Sequence, residues 1–112
     1  MSDKLKLRLM AMRKLEERQK CLVALRDARS GKHAHYGWLP TSTVFEVVKT
    51  GEVGSFDGVQ DALEYLADKG YVQFCEDPTD SLETPVVTYR ISAHGQDLLD
   101  GLIENDPGVA NY

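Results

Sequence analysis

The stretch Ser55-Phe56-Asp57-Gly58-Val59-Gln60-Asp61-Ala62-Leu63-Glu64-Tyr65-Leu66-Ala67-Asp68-Lys69-Gly70-Tyr71-Val72-Gln73-Phe74-Cys75 changes its pattern at one glycine. Before Gly70, the apolar side chains Phe56, Val59, Leu63 and Leu66 fall at helical spacing, and Ser55 is a good N-cap. After it, Tyr71 to Cys75 has the β-branched and aromatic composition of a strand. The reading predicts a helix over about 56–69, terminated by Gly70, and a strand immediately behind it. A second strand-like run, Val86-Val87-Thr88-Tyr89-Arg90-Ile91, follows the turn-rich segment Asp77–Pro85, so the two runs are expected to form a hairpin.

Upstream, residues from Lys4 to about Arg29 contain neither Pro nor Gly and are dominated by strong helix formers, which predicts one long helix. Ser30 to His35 reads as a loop. Trp38-Leu39-Pro40 leads into a helix over about 41–49, with Val44, Val47 and Val48 inward and Gly51 as its stop. Downstream, Ser92 caps a last helix expected to carry Leu98, Leu99, Leu102 and Ile103. The tail from Asn105 is expected to leave the helix and fray.

These elements give a mainly α protein with a small β-hairpin (α+β), in the order α-α-α-β-β-α with a long N-terminal helix. Three helices followed by a two-stranded wing is the winged helix-turn-helix arrangement. The expected division is a projecting basic arm over 1–20, a winged-helix domain over 21–104 and a tail over 105–112.

The segments Ser55–Val72 and Tyr89–Gly101 resemble the third helix, wing and closing helix of bacterial winged-helix regulators. The closing stretch, with Gly95 to Asp97, Gly101 and Pro107-Gly108-Val109, is also similar to small winged-helix proteins of Mu-like prophages, often labelled regulators of the arsenic-repressor type. The resemblance implies a DNA-associated regulator in which the third helix enters the major groove. It does not extend to metal sensing, since no pair of cysteines shares a helical face.

Charge divides the chain. Residues 1–36 hold 10 basic and 4 acidic side chains (10 − 4 = +6), and residues 37–112 hold 3 basic and 14 acidic ones (3 − 14 = −11), which together give the net −5. The third helix turns Asp57, Asp61, Glu64 and Asp68 outward, and the wing tip adds Asp77, Asp80 and Glu83. Docking this face on a polyanion would oppose the phosphate neutralisation that supplies most nonspecific affinity.

The residues expected to contact nucleic acid are therefore Arg8, Arg13, Lys14 and Arg18 on the arm, Ser55 and Gln60 at the start of the third helix, and Arg90 on the wing. Leu5, Leu9, Met12 and Leu15, at spacings of four, three and three, form a candidate dimer seam. His33, His35 and His94 lack the further ligands of a metal site, and Cys21 and Cys75 form no CxxC pair. No nucleophile elbow, phosphate loop or cofactor fingerprint is present. The expectation is a non-enzymatic protein without cofactor or metal, placed in the cytoplasm because it shows no signal stretch or membrane span. Its leading reading is a dimeric regulator bound to double-stranded DNA. The alternative is an interaction module whose acidic face meets a basic protein.

Overall fold

A computed structural model describes residues 3–30, 37–49, 55–77 and 86–110. Over these residues the chain is α+β and mostly helical, with four helices and one three-stranded antiparallel sheet. The elements run α1 (Asp3–Ser30), β1 (Leu39–Pro40), α2 (Thr41–Val48), α3 (Phe56–Asp68), β2 (Val72–Asp77), β3 (Val86–Ile91) and α4 (Ala93–Leu99). No helix among the described residues is long and apolar enough to cross a membrane.

This order differs from the expected α-α-α-β-β-α by one strand. Leu39 and Pro40 pair with Tyr89 and Thr88, so the sheet runs β1-β3-β2 with β3 in the centre. Two residues are too few to display an alternating pattern. A proline, which has no N–H to give to a ladder, sits comfortably on an edge strand such as β1. The hairpin register is as expected for two antiparallel runs, from Val72↔Ile91 to Asp77↔Val86. The expected loop over 30–35, the Gly51 stop and the hairpin tip beyond Asp77 lie outside the described residues, apart from Ser30, which closes α1.

The core is built where α1 crosses α3, α2 and β3. Cys21, Leu22, Ala24 and Leu25 recur on one face of α1 and are buried with Val44, Val59, Leu63, Leu66 and Ile91, and the buried Ala28 continues that face. A fully enclosed Leu or Ile of this set contributes roughly 1.5–3 kcal/mol through the apolar area it removes from water.

Ser55 and Ser92 cap α3 and α4, each accepting from the amide three residues on, Gly58 N at 3.0 Å and Gly95 N at 3.1 Å. Both helices end the same way. Tyr71 N donates to Leu66 O and Gly70 N to Ala67 O, and Leu102 N donates to Asp97 O and Gly101 N to Leu98 O. Gly70 and Gly101, at φ of +80° and +74°, supply the left-handed residue that this six-to-one, five-to-two closure requires. The last helix accordingly stops at Leu99. Leu102 is exposed rather than part of an apolar helical face, while Ile103 packs against the core from the turn.

The tail does not fray within the described residues. Val109 is buried in the core, and Ala110 N donates to Leu15 O at 3.1 Å. Asp106 organises the turn by accepting from Tyr71 OH (2.7 Å), Tyr65 OH (3.2 Å) and Gly108 N (2.7 Å). The boundary expected at residue 105 therefore falls inside the fold. At the other end, every residue of α1 from Asp3 to Lys14 is exposed, and burial begins at Leu15.

Candidate binding surfaces

Two charged helical surfaces face outward. The first is the exposed part of α1. Residues 3–14 carry Lys4, Lys6, Arg8, Arg13 and Lys14 against Asp3, a net of 5 − 1 = +4. The second is α3. Asp57, Asp61, Glu64 and Asp68 follow one another at spacings of four, three and four, which keeps them within about 60° on a helix of 3.6 residues per turn. All four are exposed, and α3 contains no Lys or Arg, so the row carries −4. Among the described residues the ion pairs are Arg26–Asp27 and Lys49–Glu46, and neither touches this row or the arm.

The seven residues expected to contact nucleic acid separate into two groups. Arg8, Arg13 and Lys14 are exposed on α1. Arg13 and Lys14 line a groove of about 280 Å³ between α1 and α3, together with Glu17, Gly58 and Asp61. The other four are engaged within the fold. Arg18 donates through Nη1 to Gly108 O at 3.0 Å and lies 3.6 Å above the Tyr65 ring, holding the tail turn in place. Ser55 spends its hydroxyl on the α3 cap. Gln60 accepts from Thr41 Oγ1 at 2.6 Å and donates to Tyr89 OH and Glu64 Oε1, tying α2, α3 and β3 together. Arg90 stacks over Trp38 at 4.9 Å and donates to Gln73 Oε1 at 3.0 Å.

Residues of the expected dimer seam lie along the arm, with Leu5, Leu9 and Met12 between 43% and 56% exposed and Leu15 half-buried. Sequence reasoning missed Leu7 (64% exposed) and Met10 (52% exposed), which lie on the other side of the helix. The signal was present: Leu7 precedes the buried Leu25 by 25 − 7 = 18 residues, five full turns, and so extends the core face of α1 beyond the domain. Apolar side chains on both sides of the arm explain why it has little amphipathic bias of its own.

The electrostatics of the interior favour structure over chemistry. Burial, aided by the neighbouring Glu17, pushes the Cys21 thiol up to about 12, which leaves it an inert core thiol. Burial and then the charge of Asp61 raise the Glu17 carboxyl above its ordinary value, and its Oε1 has no hydrogen-bond partner against the first turn of α3. Cys75 is free and exposed on β2, apart from Cys21 in the core. No group of three or more His, Cys, Asp or Glu among the described residues is placed to hold a metal ion. His94 stacks on Tyr71, whereas His33 and His35 lie outside the described residues.

Comparison with protein-family models, with curated proteins and with solved structures gave no match to this chain.

Proposed function

We propose that this chain is a winged-helix binding module without an enzymatic step, and that it associates with protein rather than reading DNA through α3. The order helix, short strand, two helices, hairpin supports the winged-helix reading, with β1 seated beside β3 and α3 directly before the hairpin. The observation that carries the functional reading is the row Asp57, Asp61, Glu64 and Asp68. A helix entering the major groove presents donors to phosphates and base edges. This helix presents four carboxylates, and its one long amide side chain, Gln60, is bonded to Thr41, Glu64 and Tyr89.

A second reading, a DNA-associated regulator of bacterial or prophage type, is favoured by one observation. Arg8, Arg13 and Lys14 are exposed and outside the ion pairs of the described residues. In that reading the arm tracks phosphates and the acidic row faces away from the duplex.

Fluorescence anisotropy with random-sequence duplex DNA, repeated over a salt series, separates the two. The protein-binding reading expects no association at low salt. Micromolar affinity that falls steeply with salt and is abolished by Arg13→Glu with Lys14→Glu would establish the second reading in its place.

A further inference from the structure

We infer that the partner of the arm is the α3 row of a second copy of this chain, so that two copies exchange their N-terminal arms. This rests on the protein-binding reading above and names its partner.

The arm needs a cover. Twelve consecutive exposed residues of helix, Asp3 to Lys14, extend about 18 Å, and a free helix of this length is marginal in water. Leu7, Leu9, Met10 and Met12 stand 43% to 64% exposed along it, more apolar surface than a solvated arm would ordinarily carry.

Charge selects the cover. Pairing two arms along a shared seam would bring +4 against +4, with Arg8 and Arg13 flanking the apolar side chains on both copies. Laying the arm on α3 of a second copy instead brings +4 against −4. The lengths agree closely as well, because the exposed arm from Asp3 to Lys14 spans 12 residues and α3 spans 13, with the same rise per residue. An apolar ledge lies at one end of the row, where Phe56 is 47% exposed and meets Phe45 of α2 edge-on. Leu9 and Met12 have a surface to reach there.

Within one chain, Arg13 and Lys14 share a groove with Asp61, the second carboxylate of the row. Glu64 and Asp68 extend beyond that groove, and Lys4 and Arg8 extend beyond it along the arm. These four residues are the ones an exchange would bring together.

Sedimentation equilibrium of the full chain, with circular dichroism to verify folding, tests the exchange. The wild-type chain should dimerise at low salt and dissociate as salt rises. Lys4→Glu with Arg8→Glu should weaken the dimer about tenfold or more, and so should Glu64→Lys with Asp68→Lys. Combining all four substitutions should restore it, since the charges are then exchanged rather than lost. A chain that stays monomeric at low salt overturns the exchange but leaves the protein-binding reading standing. A dimer weakened by the α3 pair and by the arm pair, yet not restored by the combination, also overturns it, as does one strengthened by neutral arm residues. Salt-sensitive binding to duplex DNA through Arg13 and Lys14 would instead remove the reading on which the exchange rests.

Discussion

Gly95→Ala is expected to destabilise the fold by about 3 kcal/mol, the cost of forcing a methyl group into a packed site that cannot yield. Gly95 is buried in the first turn of α4, and a Cβ there would overlap the Tyr71 carbonyl oxygen and press on Ile91. That carbonyl accepts from Ser92 N at 2.9 Å, which links the end of α3 to the start of α4. Moving it away breaks this link, and the neighbouring Gly95 N–Ser92 Oγ cap is strained in turn. Gly58 provides the contrast. A Cβ there meets mainly the end of the Glu17 side chain, which can swing aside, so Gly58→Ala should cost far less. Thermal unfolding checks both, with a fall in Tm of roughly 10–20 °C expected for Gly95→Ala.

Asp106→Asn should cost about 2 kcal/mol and change how stability depends on pH, because it removes a charge-assisted acceptor from Tyr71. Burial pushes the Asp106 carboxyl up, but hydrogen bonds from Tyr71, Gly108 N and Tyr65, with Lys69 nearby, outweigh it and hold the group below its ordinary value. The carboxylate's contribution is thus present above its unfolded pKa and is lost as pH falls through the lower folded value. Tyr71 runs the other way. Burial first, and then the bond to Asp106 and its charge, push the phenol up to about 12. Its contribution is complete below its ordinary value near 10 and is lost as pH rises through about 12. Urea unfolding at a series of pH values should show wild type weakening at both ends. The Asn variant should be less stable at neutral pH and weaken less steeply in acid. Equal stability of the two at neutral pH would mean that the turn at Asp106 does not hold the tail.

The helices and the hairpin were legible because each is announced by local chemistry. Ser55 and Ser92 cap, Gly70 closes α3, and the composition changes from helical spacing to β-branched and aromatic residues across Gly70, whereas the closure at Gly101 cuts short a last helix expected to carry Leu102 and Ile103. What the sequence concealed depends on distant partners. A two-residue strand, Leu39–Pro40, exists only because β3 offers it an edge. The tail reads as a breaker at Pro107, yet Asp106 finds two tyrosines that lie 35 and 41 residues away in the chain.

The candidate site was legible to the same degree. Net charge along the chain separated a basic arm from an acidic body, and helical spacing placed the four carboxylates in one row. The fates of Arg18, Gln60 and Arg90 were not readable, because Gly108, Thr41 and Trp38 come to them from other elements. A basic or amide side chain looks available in sequence until its tertiary partner is known.

The central claim is that the α3 row rejects nucleic acid, and neutralising it tests this most directly. Asp57→Asn, Asp61→Asn, Glu64→Gln and Asp68→Asn remove four charges while keeping size and shape. Anisotropy with duplex DNA at low salt should then show association by the neutralised protein and none by wild type. Equal binding by both proteins would contradict the account, since the row would then have no bearing on the partner that α3 meets.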